Sequence, residues 1–233
     1  QDTICTGLHP ELGLTTVSRT LHPVRFRYEY DYDPAKVAVV MHGSADALEA
    51  GQHIADTLIN LTGVPQMVLV IAHPYLQGWG GSEKCTGIPD TSRVWIAPTL
   101  KVMADSVSTY IGGRNIKCYG QSNGSIYLMP QGGIAAFDEY DVFDLNYAWN
   151  NGRTTKDITG LKAGTYSVTV TDKLHCTGDS AFVLTQPARL TSVVEVIDTL
   201  SCNGNDGTIA PLTIGGTEGY QYSWTVPIDY YLD

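Results

Sequence analysis

The most regular pattern in the chain has a period of two. In Gly164-Thr165-Tyr166-Ser167-Val168-Thr169-Val170-Thr171, small or polar residues alternate with Tyr and Val. This predicts a half-buried β-strand with one face on a core and one on water. Weaker runs predict further strands near residues 100–109, 125–129, 146–149, 155–158 and 181–185. Asn150-Asn151-Gly152 reads as a hairpin turn, because Asn and Gly tolerate positive φ. Short strands separated by turns describe a two-sheet sandwich of the immunoglobulin-like kind. The expected core is Ile126, Leu128, Trp149, Ile158, Leu161, Tyr166, Val168, Val170, Phe182 and Leu184.

The pattern recurs along the chain. Cys118-Tyr119-Gly120-Gln121-Ser122-Asn123-Gly124-Ser125-Ile126 returns as Cys202-Asn203-Gly204-Asn205-Asp206-Gly207-Thr208-Ile209, and both copies run on to a Gly-Gly pair and a Tyr-x-Trp. The opening stretch fits the same frame more loosely. Cys5-Thr6-Gly7 stands at the first Cys, Leu61, Val68 and Val70 stand where Leu161, Val168 and Val170 do, and Cys85-Thr86-Gly87 repeats Cys176-Thr177-Gly178. Residues 1–97 therefore read as a divergent module lacking its first strand, 98–187 as a complete module, and 188–233 as the first part of another. Pro98 and Pro187 mark the boundaries, and insertions around 28–34, 73–84 and 134–145 map to exposed loops. The expectation is a tandem array of β-sandwich modules, seen through a window on a longer polypeptide.

Composition narrows the partners. The 233 residues carry a net charge of −10, and the 14 Lys and Arg form no cluster, which argues against a nucleic-acid partner. No run of 18 apolar residues and no charged-then-apolar leader is visible, so this segment shows neither a membrane span nor a signal peptide. Five Cys at recurring positions, with no Cys-x-x-Cys and no His at ligand spacing, read as an oxidised framework rather than a zinc site. That places the protein outside the cytoplasm and implies no metal or cofactor.

Three chemical constellations compete with a purely structural reading. Gly120-Gln121-Ser122-Asn123-Gly124 fits the G-x-S-x-G nucleophile elbow, and Val37-Ala38-Val39-Val40-Met41-His42-Gly43 resembles the strand and oxyanion turn of an α/β-hydrolase, making Ser122 a candidate esterase nucleophile. Against it, Pro130, Gly132 and Gly133 follow too soon for the helix an elbow requires, and His175 is the one later His. Asp138, Glu139, Asp141 and Asp144 offer carboxylates to calcium but lack a spaced ligand loop; a solvated loop accounts for them. Tyr28, Tyr30 and Tyr32 with Trp79 offer either an aromatic platform for sugar or core packing. The scattered His9, His22, His42, His53, His73 and His175 show no ligand spacing.

The repeated motifs carry a family resemblance. Cys-x-Gly-x-x-Asn-Gly-Ser-Ile, Gly-Gly, Tyr-x-Trp-x-Asn-Gly, Thr-Thr-x-x-Ile-x-x-Leu, Ala-Gly-Thr-Tyr-x-Val-Thr-Val-Thr-Asp, Cys-Thr and a closing Gln-Pro are similar to the SprB-type repeat of gliding-motility adhesins. The match is full over 98–187, partial over 188–224 and loose over 1–97, where Val64-Pro65-Gln66-Met67 replaces Gly-Thr-Tyr. The resemblance implies very long proteins secreted by the type IX system and displayed as surface filaments for adhesion and movement. It implies neighbouring repeats of the same polypeptide as partners, surface polysaccharide as a further one, and no catalysis.

Two modifications follow as expectations. Pairing within a repeat joins Cys5 to Cys85 and Cys118 to Cys176, leaves Cys202 for a partner further along, and contributes about 4 kcal/mol per bond in the chain-entropy model. In an immunoglobulin-like sandwich those positions fall at opposite poles, so the alternative is Cys5 to Cys176 across a module junction; both stay open. Bacteria with SprB-like adhesins resemble one another in attaching O-glycans at Asp followed by Ser or Thr and a small aliphatic residue. This chain offers Thr3, Thr57, Ser106, Ser180 and Thr199 in that context, where composition alone gives about one or two such triplets. Asp2 and Asp198 are expected in exposed inter-strand turns.

Overall fold

The computed structural model describes residues 2–16, 23–78, 80, 83–133, 145–199 and 207–225. Its strands in the opening stretch are β1 (Asp2–Cys5), β2 (Val24–Asp31), β3 (Val37–Val40), β4 (Leu48–Glu49), β5 (Thr57–Asn60), β6 (Gln66–Gln77), β7 (Glu83–Thr86) and β8 (Asp90–Ala97). The central stretch holds β9 (Lys101–Val107), β10 (Gly124–Gln131), β11 (Asn146–Trp149), β12 (Ile158–Leu161), β13 (Gly164–Thr171) and β14 (Thr177–Leu184). The last described strands are β15 (Thr191–Asp198) and β16 (Thr208–Ile214). The fold is all-β: among the described residues there is no α-helix. Two compact units make up the chain, Gln1–Ala104 with Leu128–Lys156 and Ser167–Ala181, and Asp105–Tyr127 with Asp157–Tyr166 and Phe182–Asp233.

The central stretch has the strand sets of an immunoglobulin-like sandwich. One sheet runs β12-β10-β9 and the other β11-β13-β14, the arrangement in which a first, second and fifth strand oppose a third, sixth and seventh. β13 alternates as the sequence predicts, with Val168 and Val170 buried and the residues between and beside them half-buried or exposed. Ile126, Leu128, Trp149, Ile158, Leu161 and Leu184 join them in the core. Tyr166 and Phe182, expected inside, are half-buried. Both share the inward parity of the valines and Leu184, but Tyr166 lies before the stretch of β13 that β11 pairs and donates its hydroxyl to Lys162 O at 3.0 Å. The face-to-face packing is close: a Cβ built on Gly124 of β10 would lie 2.6 Å from Leu184 Cδ2 of β14. The expected strand at 155–158 lies later, at Ile158–Leu161. The Asn-Asn-Gly turn forms, with Gly152 at φ +81° and its N–H donated to Trp149 O at 2.9 Å, but it carries the chain to the opposite sheet instead of closing a hairpin.

The opening stretch builds a larger sheet in the order β1-β8-β6-β2-β4, with β7 on the end of β6 and β3-β5 as a separate pair. Val68 and Val70 of β6 are buried as the repeat frame expects, whereas Leu61 is exposed and Leu58 of β5 occupies the core in its place. β2 is amphipathic: Phe26, Tyr28 and, less fully, Tyr30 face inward, while Arg25, Arg27, Glu29 and Asp31 line the other side. Outside the core, Arg25 pairs with Glu49 across β2 and β4, and His73 Nε2 lies 3.1 Å from Glu29 Oε1.

β15 and β16 form an antiparallel hairpin that reproduces the closure of β9 and β10. A Cβ on Gly132 would lie 2.2 Å from Thr99 O, and one on Gly215 would lie 2.1 Å from Arg189 O. Gly133 donates its N–H to Pro98 O at 3.1 Å, and Gly216 donates to Ala188 O at 2.8 Å. The repeated Gly-Gly pair thus has one physical cause, since only a residue without Cβ, free to hold positive φ, fits against that strand-entry carbonyl.

Candidate functional site

The most distinctive chemistry described in the first unit is a covalent junction. Cys5 ends β1, which runs parallel to β8 with Cys5 opposite Ala97, the last residue before Pro98. Cys176 sits in the loop between β13 and β14, and Asp172 shapes that loop. Buried Asp172 accepts hydrogen bonds at Oδ1 from the N–H groups of Leu174 and Cys176, both at 2.9 Å, and its own N–H goes to Cys176 O. His175 takes a positive φ of +61° at the tip of this loop and donates its N–H to Asp172 O at 3.0 Å.

These two supports bring the cysteines together in a disulfide that spans 171 residues with a Cα–Cα distance of 5.4 Å. Both are buried, packed with Ala97 and Leu174. Cys5 Sγ lies 3.5 Å from Leu174 O; a disulfide sulfur has no proton to donate, so this is a packing contact. In the chain-entropy account, closing a loop of this size contributes roughly 5 kcal/mol.

The within-repeat pairings Cys5–Cys85 and Cys118–Cys176 do not form; Cys85 and Cys118 are exposed free thiols. The reason lies in what each position borders. The Cys118 turn meets the boundary that follows its module, where Gly120 donates its N–H to Gln186 Oε1 at 2.8 Å. Cys176 lies by the boundary that precedes its module: a Cβ on neighbouring Gly178 would lie 2.3 Å from Leu100 O, and one on Gly133 would lie 2.7 Å from Asp172 Oδ2. Cys5 therefore meets Cys176, the second cysteine of the stretch that follows its own. Cys202 lies outside the described residues.

The first module holds a polar centre that the sequence reading missed. Buried Asp56 accepts hydrogen bonds at Oδ2 from Tyr28 OH at 2.6 Å and Tyr30 OH at 2.9 Å, and at Oδ1 from the His42 N–H at 2.7 Å. The two rings meet edge to face at 5.6 Å. Burial first, then the hydrogen bond and negative charge of Asp56, push both phenols well above their ordinary range. A signal was present: two tyrosines two apart on an inward face each need an acceptor. In the sequence, Asp56 stands out only as the first residue of the Asp56-Thr57-Leu58 glycan triplet.

This geometry decides two of the competing readings. Tyr28 and Tyr30 turn their hydroxyls inward onto Asp56 and Tyr32 packs against the same core, so they form no sugar platform; Trp79 lies outside the described residues. Ser122 is exposed and leads into strand β10, not into a helix, while Val37–Val40 is one strand of an antiparallel pair. The strand-turn-helix elbow of an α/β-hydrolase is absent at Ser122, which overturns its role as an esterase nucleophile. Asp138, Glu139, Asp141 and Asp144 lie outside the described residues, and among those described no three His, Cys, Asp or Glu side chains converge as metal ligands. No helix of the described residues is long and apolar enough to cross a membrane.

An open apolar groove of about 630 Å³ crosses the first module, walled by Leu14, Phe26, Ile54, Val70, Pro74 and the exposed Cys85. Of the glycan candidates, Ser106 and Thr199 are exposed, and Thr3, Thr57 and Ser180 are half-buried. Thr3, Thr57, Ser106 and Ser180 stand within strands β1, β5, β9 and β14, and Asp2 opens a strand. Asp198 closes β15, so the turn placement expected of Asp2 and Asp198 is met at neither.

No protein-family model matches the chain, and no curated protein does. Among solved structures, it is similar to a C-terminal 282-residue fragment of intimin in complex with the intimin-binding domain of the translocated intimin receptor. That likeness has a TM-score of 0.44 and 11% identity over 77% of this chain and 58% of that one. It is also similar to PcdhgB3 EC1-4, with a TM-score of 0.24 and 12% identity over 84% of this chain and 52% of that one. The chain thus spans little more than half the length of each. With TM-scores below 0.5, the assignment to an all-β, immunoglobulin-like class stands on the strand topology above.

Proposed function

We propose that the chain is a tension-transmitting segment of a long extracellular surface filament, built from tandem β-sandwich modules and resembling the SprB-type repeats of gliding-motility adhesins. The observation that carries the reading is the Cys5–Cys176 bond, which ties β1 of the first module to the β13–β14 loop of the next. Force applied to the two ends of the chain passes from Cys5 straight to Cys176, so the intervening residues are not extended. A binding domain or an enzyme has no need of that route. The same disulfide supports an extracellular location, since such bonds persist in oxidising compartments. The SprB-like motif residues support export through the type IX system and a part in adhesion and gliding. Surface polysaccharide is the further partner this reading admits, and O-glycans at Thr3, Thr57, Ser106, Ser180 and Thr199 would coat the filament.

The test is single-molecule pulling from the two termini. At about 3.5 Å per residue, the 171-residue loop holds roughly 600 Å of contour length. The expected record under oxidising conditions lacks that length and gains it on reduction. Equal contour lengths in both conditions would overturn the mechanical reading.

A further inference from the structure

We infer that the exposed face of the β15–β16 hairpin and the thiol of Cys118 form one docking surface for one partner. The partner is a three-stranded sheet of the β11-β13-β14 kind, from the next stretch of the same polypeptide, with its cysteine at the Cys176 position bonded to Cys118. The inference rests on the tandem-module reading above.

The hairpin is half of a sandwich. Its Gly215-Gly216 closure matches Gly132-Gly133, which equates Leu190 with Leu100 and Ile209 with Ile126. Leu100 and Ile126 are 4% and 0% exposed; Leu190 and Ile209 are 55% and 51% exposed. The register pairs Val194 with Pro211, Val196 with Ile209 and Ser192 with Thr213, so these residues share a face that continues from Leu190. In the central module the same face is covered by β14, through Leu184 against Gly124 and Gly178 against Leu100 and Val102. Trp224 stands as Trp149 does in the repeat, yet it is 52% exposed where Trp149 is 4% and donates Nε1–H to Thr155 O. Apolar surface of this kind marks an interaction site.

Cys118 belongs to the same surface by the rule that Cys5 establishes. Both cysteines open the same turn: Gly7 at φ +84° with Leu8 N–H donated to Cys5 O at 3.3 Å, and Gly120 at φ +77° with Gln121 N–H donated to Cys118 O at 3.1 Å. Cys5 lies opposite the last residue before Pro98, and the Cys118 turn bonds to Gln186, the last residue before Pro187. The sheet that covers the central half-sandwich brings Cys176 to Cys5; a sheet that covers β15–β16 in the same way brings its cysteine to Cys118. Bond formation oxidises the two thiols, and a disulfide oxidant takes up their two electrons and two protons as it is reduced to a dithiol.

Non-reducing peptide mapping of the polypeptide from its native source tests the bond. The expected product is a near-stoichiometric cross-link from Cys118 to a Cys-Thr peptide of the following module. A free Cys118 with further modules present, or a bond from Cys118 to Cys85, Cys202 or a second copy's Cys118, overturns the inference while leaving the tandem reading intact; absence of any further module overturns both. In the 233-residue chain, the double substitution Val194→Asp and Val196→Asp is expected to cut binding of a hydrophobic dye at least twofold with the Cys5–Cys176 bond retained. Unchanged dye binding overturns the docking face.

Discussion

Cys5 and Cys176 hold the two sides of a module boundary with their Cα atoms 5.4 Å apart, although 171 residues separate them in sequence. Cys176→Ser is expected to lower unfolding stability by about 2 to 5 kcal/mol, the usual cost of losing a native disulfide. Cys85→Ser removes an exposed free thiol and is expected to change stability by less than about 0.5 kcal/mol. Urea titrations of the two variants and the parent check both values, and equal midpoints for the two variants would refute the assignment.

Asp56 concentrates three hydrogen bonds on one buried carboxylate. Asp56→Ala strands two phenolic hydroxyls and one backbone N–H, each worth about 1 to 3 kcal/mol when buried without a partner, so a loss of about 3 kcal/mol or more is expected. Asp56→Asn keeps one acceptor oxygen and is expected to cost about half as much. Denaturation midpoints of the pair give the comparison, and an Ala variant as stable as the Asn variant would contradict it.

The phenols of Tyr28 and Tyr30 are raised in the folded state, first by burial and then by Asp56. The folded protein therefore holds these protons more tightly than the unfolded chain. Their contribution is complete below about pH 10, the ordinary tyrosine value, and is lost as pH rises above it. Stability is expected to fall more steeply above pH 10 in the parent than in Tyr28→Phe. Tyrosinate absorbance followed with urea stability from pH 8 to 12 reads this directly, and identical slopes would defeat it.

Gly132 and Gly152 both hold positive φ, at +87° and +81°, but their surroundings differ. A Cβ at Gly132 would lie 2.2 Å from Thr99 O, whereas one at Gly152 would meet open space. Gly152→Ala is expected to cost about 1 kcal/mol from backbone strain alone, and Gly132→Ala about 3 kcal/mol or more, because backbone must move. Thermal unfolding of the two variants ranks them, and a Gly152→Ala loss as large as that of Gly132→Ala would count against the close approach.

Local and periodic features are legible in the chain alone. Alternation in 164–171 specified β13 and the burial of Val168 and Val170, because a pleated strand turns every second side chain inward. Recurrence of Gly-Gly and Tyr-x-Trp specified that one module returns, because identical backbone constraints select identical residues. Boundaries were less legible: β12 falls at Ile158–Leu161, since sheet partners and not propensity decide where a short strand pairs. The tertiary structure alone decided three things. It chose Cys176 for Cys5, because disulfide geometry depends on which chain boundaries meet in space and spacing along the chain carries no such information. It turned Tyr28 and Tyr30 onto Asp56, because alternation shows that they share a face but not which face is buried or what acceptor a distant strand supplies. It left Ser122 at the entrance to a strand, because the five-residue elbow motif acquires its chemistry from the helix that follows, and here β10 follows instead.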